Sequence, residues 1–512
     1  MAQIDLKDGV VGVVGAGTMG IGVAETAARA GHRVFLFDVS ESAAQTALSA
    51  LADRLDGRVA RGKIARDDAD AILSRLTCAP ALDALAPCAL IVEAVVEDLK
   101  IKQDLFSSLE RLAGPDAILA SNTSSISITA IARPLEKPGR VAGLHFFNPA
   151  PVMKLVEVVP GLQTTQATVR TLLGLCAHWE KVGVQAKSVP GFIVNRVARP
   201  FYAEGFLALE QGVAAPAQID ALIEKSAGFR MGPLALADLI GHDVNAAVAQ
   251  GVFDACNGHT RFRPSLAQQE LVAAGRLGRK SGCGIYRYDG AGDPQTPPAP
   301  SLSPPPPPAA QIAAMAVRFS PAPTGAALWC RDALRKAGHA PETDRDLAPG
   351  QWALAGGVVS PNAGRSALAL STEIDKPCIV HDWAHDPGGS RLLGFSASTP
   401  DMEQAFLALL SAVGVEGVVL KDRPGLIALR TIAMIVNAAC DAARDEVARE
   451  DDIDRAMRFG VNYPRGPFEW ADLIGPAFLT RALSSIAEET GDPIYLPSEY
   501  LRRRAALSGA RM

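Results

Sequence analysis

Residues Val10 to Asp38 constrain this chain more than any other stretch of its 512 residues. An apolar, β-branched run, Val10–Val14, leads straight into Gly15-Ala16-Gly17-Thr18-Met19-Gly20. Small residues continue as IGVAETAARAG, and a second apolar run ends in Asp38, well beyond Gly20. A glycine cluster alone marks many kinds of turn. Strand, turn, helix, strand and terminal acid in this order make a complete dinucleotide-binding unit. The glycines let the backbone approach a pyrophosphate at the positive end of a helix. Asp38 would accept hydrogen bonds from a ribose and repel a 2′-phosphate, which predicts NAD in preference to NADP. Gly15, Gly17, Gly20 and Asp38 are the first candidate cofactor residues.

As far as Pro190 the chain keeps alternating short β-branched runs with amphipathic stretches, the pattern of a doubly wound parallel α/β sheet. Strands are expected at Val10–Val14, Val34–Asp38, Leu90–Glu93, Ile118–Ser121, Val141–His145 and Leu155–Val159. From Gly191 to about Ala274 the period becomes helical, as in FIVNRVARPFYAEGFLALEQG. GDPQTPPAPSLSPPPPPAA (Gly292–Ala310) then has too much proline for a helix or central strand and reads as an extended linker.

Beyond the linker the chain repeats itself. Pro190-Gly191 recurs as Pro424-Gly425, Arg196 as Arg430, Asp220 as Asp454, Gly232-Pro233 as Gly466-Pro467, and ADLIG at both Ala237–Gly241 and Ala471–Gly475. The offset is identical for every pair, so a helical domain is duplicated without gaps. The segment between linker and second copy has strand-like runs (WALAGGVV, PCIVHDWA, VEGVVL) but no GxGxxG. The expected order is a Rossmann-type NAD-binding domain (1–189), a helical domain (190–290), a linker (291–310), a reduced Rossmann-like unit without a nucleotide motif (311–422) and a second helical domain (423–512).

Composition excludes several classes. Hydrophobic residues make up 48% and charged residues 21%, which describes well-buried globular domains. A net charge of -5 argues against nucleic acid or an anionic membrane surface as the main partner. The eight cysteines are scattered without a CxxC pair, as expected of reduced thiols rather than a disulfide framework or zinc site. No basic leader precedes VVGVVGAG, and no apolar run is long enough to span a bilayer. A cytoplasmic protein without membrane spans is expected.

GLHFFNPAPVMKLVEVV (Gly143–Val159) places His145 and Glu157 in an otherwise mostly apolar stretch. A buried histidine is often satisfied by a backbone carbonyl. Beside a nicotinamide cofactor a second reading opens, because oxidising a secondary alcohol needs a base for the hydroxyl proton, and neutral imidazole serves near pH 7. A carboxylate on its far nitrogen would hold the tautomer and stabilise the imidazolium. Asn148-Pro149 signals a turn, and KLVEVV a returning strand that brings Glu157 back beside His145.

With VGVVGAGTMG, VEAVVEDLKIK, ASNTSSISI, GLHFFNPAPVMKLVEVV, PGFIVNR and GRKSGCGIY, the sequence strongly resembles the NAD-dependent 3-hydroxyacyl-CoA dehydrogenases from Val10 to about Tyr288. The resemblance implies that His145 is the catalytic base and Glu157 its partner. It sets Ser124 and Asn195 against the substrate's oxygen atoms, and Glu97, Lys102, Asn148 and Lys280 against the cofactor. By residue chemistry alone, Ser124 could equally cap a loop and Asn195 could be a helix-surface amide. Coenzyme A carries phosphates, and Arg58, Arg61 and Lys63 offer a basic rim; Lys63 is the chosen substrate contact, although a solvated helix face explains the same residues. The expected reaction interconverts an (S)-3-hydroxyacyl-CoA and a 3-oxoacyl-CoA, in a cleft between the nucleotide sheet and the first helical bundle.

In the second copy Leu429 replaces Asn195, and nothing near it repeats the His145–Glu157 stretch, so one active site per chain is expected. The resemblance also implies a helical dimer interface, so the tandem copies are expected to pack as an internal pseudo-dimer, with a homodimer also open. The layout resembles long bacterial enzymes of the family, including those of phenylacetate breakdown acting on 3-hydroxyadipyl-CoA; a 3-hydroxybutyryl chain is the other candidate. HDWAH (His381–His385) has helical metal-ligand spacing, but no further ligand is evident and no metal is expected. Two rivals are a non-catalytic NADH-binding protein and a dehydrogenase of free hydroxy acids.

Overall fold

Short runs rich in Val, Ile and Leu form most strands of the first sheet. The computed structural model describes residues 6, 9–289, 308, 312 and 315–509, and the expected linker lies outside these apart from Pro308. The chain divides into two compact units: Met1–Arg196 with Ala442–Asn462, and Val197–Asp441 with Tyr463–Met512.

In the first unit, β1 (Val11–Val14), β2 (Val34–Phe37), β3 (Leu76–Cys78), β4 (Leu90–Glu93), β5 (Ile118–Ser121), β6 (Val141–Phe146), β7 (Leu155–Pro160) and β8 (Val182–Gln185) form one sheet. Its order is β3-β2-β1-β4-β5-β6-β7-β8. All neighbours are parallel except β6 and β7, which run antiparallel with His145 directly opposite Glu157. The six predicted strands form within a residue of their expected ends, and β3 and β8 form beside them. Helices such as Thr18–Arg29, Leu99–Leu112 and Gln166–His178 cover the faces. Val13, Leu36, Val92, Ile118, Leu144 and Val156 fill the core between them.

The second unit holds β9 (Arg318–Phe319), β10 (Glu342–Thr343), β11 (Trp352–Leu354), β12 (Gly357–Pro361), β13 (Cys378–His381), β14 (Leu392–Ala397) and β15 (Glu416–Val419). They form a mixed sheet, ordered β10-β9-β11-β12-β13-β14-β15, around Phe319, Trp352, Leu393, Phe395 and Phe406. The run WALAGGVV, read as one strand, is in fact a hairpin: β11 folds back antiparallel onto β12 through Ala355 and Gly356, both at positive φ. HDWAH is not helical either. His381 ends β13 and is buried, its Nδ1 3.0 Å from the Asp382 carbonyl oxygen, while His385 lies beyond the strand and is exposed, so the i, i+4 spacing places no two ligands on one face.

The repeat holds in three dimensions. Pro233–Ile240 and Pro467–Ile474 are helices of equal length, each ended by a glycine at φ 99°, Gly241 and Gly475, which favours glycine over residues with a side chain. Each sheet is covered by a helix from the other half's helical copy. In the first unit, Glu450–Gly460 packs on β7 and β8; in the second, Pro216–Ala227 packs on β14. The supporting bonds are reciprocal. The Lys187 N–H donates to the Val447 carbonyl (2.7 Å) and Lys421 N–H to that of Val213 (2.9 Å). The Lys187 ammonium donates to the Asp445 carbonyl and that of Lys421 to Gln211, each at 3.1 Å. Within the second unit the two helical copies also share a buried ion network, in which Glu204 of the first accepts from Arg430 (2.9 Å), Arg423 (3.3 Å) and the Tyr495 hydroxyl (2.9 Å) of the second.

Candidate active site

The strand ends of the first sheet present three groups of residues. The glycine turn comes first. Gly15 has φ 101°, and a Cβ there would lie 2.5 Å from the Ala94 carbonyl oxygen. One on Gly20 would lie 1.8 Å from the Gly15 carbonyl oxygen, so both positions require glycine for close backbone approach. Nothing lies within 4 Å of a Cβ on Gly17, which leaves that side of the turn open to a ligand. No side chain caps the helix that begins at Thr18, and its first amides can bind an anion. The Asp38 carboxylate accepts from the Ala16 N–H (2.8 Å) and the Ser40 N–H (3.0 Å), which ties the acid to the turn. This cradle fits a dinucleotide.

The second group was only partly visible in the sequence. Glu97 Oε1 accepts from the Thr123 hydroxyl (2.5 Å), the Ser125 hydroxyl (2.9 Å) and the N–H groups of Ser124 and Ser125 (3.1 and 3.2 Å). Burial alone would raise its pKa, but Thr123, Lys102 and Ser125 together hold the carboxyl below its ordinary range. The Lys102 ammonium is only 1% exposed and lies 2.6 Å from Glu93 and 3.3 Å from Glu97. Glu93 is the residue that sequence reasoning missed. It accepts from Lys102, from the Val95 N–H (2.7 Å) and from the Ser121 hydroxyl (2.7 Å). A lone acid ending the apolar strand Leu90–Glu93 was the signal for it.

The third group is His145 and Glu157. His145 Nδ1 lies 2.7 Å from Glu157 Oε2. Glu157 Oε1 accepts from the N–H groups of Ile193 (3.0 Å) and Val194 (3.1 Å). Those amides open the turn of helix that carries Asn195, so one carboxylate aligns both the imidazole and the start of this helix. With both oxygens accepting, Nδ1 must donate, which leaves Nε2 as the basic nitrogen. The ring packs between Phe147 (4.6 Å) and Phe192 (5.7 Å), in apolar surroundings that strengthen its bond to the carboxylate. Asn122 Oδ1 accepts from the Phe146 N–H (2.8 Å) and so ties the loop carrying Ser124 to the end of the strand carrying His145.

The first unit therefore brings together Ser124, His145, Glu157, Asn195, Glu97 and Lys102, with Asn148 exposed in the loop after β6. Lys280 belongs to the second unit, where its ammonium pairs with Asp243 at 2.5 Å. Lys63 is exposed just beyond the helix Glu41–Ala60. Among the described residues no group of three or more His, Cys, Asp or Glu could hold a metal ion, and no helix is long and apolar enough to cross a membrane.

A dinucleotide cradle, a carboxylate-backed imidazole and a hydroxyl-bearing loop tied to its strand define an NAD-dependent alcohol dehydrogenase by class. Comparison with known proteins narrows this. Residues 10–189 match the model of the 3-hydroxyacyl-CoA dehydrogenase NAD binding domain, and residues 191–288 and 425–509 both match that of the family's C-terminal domain. The chain is 42% identical over 498 residues, 97% of each protein, to a 3-hydroxyadipyl-CoA dehydrogenase of Escherichia coli (strain K12). It is similar to the crystal structure of a 3-hydroxybutyryl-CoA dehydrogenase from Escherichia coli K12, with TM-score 0.87 and 40% identity over 99% of this chain and all of that one. A probable 3-hydroxybutyryl-CoA dehydrogenase of Bacillus subtilis (strain 168) is 39% identical and aligns along 96% of its own length with 54% of this chain. The chain belongs to the 3-hydroxyacyl-CoA dehydrogenases. It is an oxidoreductase that interconverts (S)-3-hydroxyacyl-CoA and 3-oxoacyl-CoA, and its cofactor is NAD.

Proposed function

We infer that His145 is the general base and acid of this reaction and Glu157 its supporting carboxylate. The observation that carries the reading is the 2.7 Å bond from Nδ1 to a carboxylate whose other oxygen is held by two backbone amides. NAD, held by the turn of Gly15, Gly17 and Gly20 and by Asp38, would supply the acceptor for the hydride of the substrate's C3. His145 Nε2 takes the hydroxyl proton in the oxidative direction and returns it in the reductive one. Glu157 stabilises the imidazolium that forms between these events. Ser124 and Asn195 donate hydrogen bonds to the substrate's oxygens, where developing charge makes such bonds count most.

The cofactor-holding set in the first unit is Gly15, Gly17, Gly20, Asp38, Glu97, Lys102 and Asn148. Lys102 acts through Glu97, since its own ammonium is enclosed by two carboxylates. Lys63 contacts the phosphates of coenzyme A. The acyl chain is short, 3-hydroxybutyryl or 3-hydroxyadipyl, and cysteines that form no disulfide suit a cytoplasmic setting. The tandem helical copies act as an internal pseudo-dimer. In support, the reciprocal Lys187–Val447 and Lys421–Val213 bonds are what a two-fold exchange between subunits would make.

The assignment of His145 is tested with His145→Gln. Turnover of a 3-hydroxyacyl-CoA, followed by NADH absorbance, falls by at least about 10²–10⁴-fold while NADH affinity stays within a few-fold; near-normal turnover overturns it. Light scattering tests the pseudo-dimer: a 53.6 kDa particle is expected, and a stable dimer through the helical copies overturns it.

A further inference from the structure

The loop between the strands of His145 and Glu157 runs through residues 147–154 and carries Asn148, which is exposed. Within it the N–H groups of Val152 and Met153 both donate to the Pro149 carbonyl (2.9 and 3.0 Å), which closes a single turn. The carbonyls that end a lone turn have no donor in the turn itself and need another partner. Lys181 supplies one. Its ammonium donates to the carbonyls of Ala150 (2.6 Å) and Met153 (2.8 Å). The next residue, Val182, donates its N–H to the Lys154 carbonyl (2.8 Å), so side chain and backbone both stitch the loop to the start of β8.

The charge is held there at a cost. Burial, with Arg29 and Lys154 nearby, pushes the Lys181 ammonium down to about 8, while Cys176 and Glu25 act against the shift. At pH 7 it keeps its proton, and both bonds to the loop are charge-assisted. The Glu25 carboxylate is engaged elsewhere, by Arg29 (2.6 Å) and Arg54 (2.5 Å).

On its other side the loop rests on the helix Thr18–Arg29. A Cβ on Gly22 of that helix would lie 3.1 Å from the Ala150 Cβ and 3.4 Å from Pro151 Cδ. Lys181 thus clamps the loop against the helix that opens at the nucleotide turn. His145 has its own supports, its pairing with Glu157 and the bond from the Phe146 N–H to Asn122. What the lysine adds is the placement of the segment beyond Phe146, and with it Asn148.

We propose that Lys181 is a positioning residue for the cofactor: it locks the loop 147–154 so that Asn148 meets NAD, and it sets cofactor affinity rather than the rate of proton or hydride transfer. The proposal rests on the cofactor role given to Asn148 above.

The test measures KM for NAD and kcat at pH 7 with saturating 3-hydroxybutyryl-CoA. Lys181→Met is expected to raise KM for NAD by about 10-fold and to leave kcat within a few-fold. Lys181→Arg, whose guanidinium can also donate to two acceptors, recovers most of the loss. Asn148→Ala raises KM to a similar degree, and combining it with Lys181→Met adds no more than a few-fold, because the two act as one unit. A combined loss near the product of the single losses overturns the proposal. So does a Lys181→Met variant with unchanged KM, or one that loses kcat instead. Should Lys181→Met fail to fold, Lys181→Gln, which keeps a donor for one carbonyl, decides by the same readings. An Asn148→Ala variant with unchanged KM for NAD overturns the cofactor role of Asn148 and the proposal with it. A raised KM in Asn148→Ala beside an unchanged one in Lys181→Met overturns the proposal alone.

Discussion

The two sheets of this chain solve one backbone problem with different residues. After each Pro-Gly, at Pro190-Gly191 and Pro424-Gly425, a turn of helix begins with buried amides that need an acceptor. In the first half Glu157, on β7, accepts from Ile193 and Val194. In the second, Asp382 accepts from Ile427 and Ala428, which hold the same places in the repeat, and from Leu429. Yet Asp382 does not stand at the position of Glu157. Gly143 and His381 are the register partners of Ser121 and Pro361, each followed by an asparagine. Counted from there, Trp383 stands at the place of His145. Val159 and Phe395 face Gly143 and His381, so Leu393 stands at the place of Glu157. The imidazole and its carboxylate are gone from the second half, but the amides are still capped, from just beyond the end of the neighbouring strand β13. Capping is a requirement of folding and survives; the imidazole pair, proposed above as the base and its support, is not and does not.

The largest effect that would sharpen this contrast is on catalysis. Glu157→Gln keeps an oxygen for the amides but withdraws the anion from His145, and kcat is expected to fall by about 10²–10³-fold with little loss of folding. A kcat within a few-fold of wild type would break the contrast. Asp382→Ala, by comparison, leaves kcat unchanged and destabilises by about 3 kcal/mol in urea unfolding, because several buried donors lose their acceptor.

Acid should separate the halves as well. Burial pushes the His381 imidazole down to about 4, against 6.5 for an ordinary histidine. The unfolded chain therefore binds this proton first, so the stability it contributes is complete above pH 6.5 and is lost as pH falls toward 4. By pH 5 the loss is about 2 kcal/mol. His381→Asn should flatten that part of the pH profile of unfolding; an unchanged slope would contradict it. The smallest effect concerns the nucleotide turn, which the second half lacks. Asp38→Ala is expected to weaken NAD binding by about 10-fold and to narrow its preference over NADP, measured by the KM values of the two cofactors.

Much of the site was legible because its signals are local. The glycine spacing of Gly15, Gly17 and Gly20 reflects contacts within a few residues. His145 and Glu157 are joined by one turn, so their meeting follows from strand–turn–strand. Glu93 was harder to see, since its partners Lys102 and Ser121 arrive from separate elements. The hairpin within WALAGGVV was hidden because its apolar run continues through the reversal at Ala355 and Gly356. Asp382 gave no sign of its role, because the amides it caps lie far along the chain, at Ile427, Ala428 and Leu429.

Sequence alone determined the nucleotide turn, the histidine–glutamate pair and the duplication, because each is written in short-range spacing or constant register. Only the tertiary structure decided which helix covers which sheet and which carboxylate caps the second helix start. Those outcomes depend on contacts between distant segments, where burial and the need to partner each polar group choose among arrangements that local pattern leaves equal.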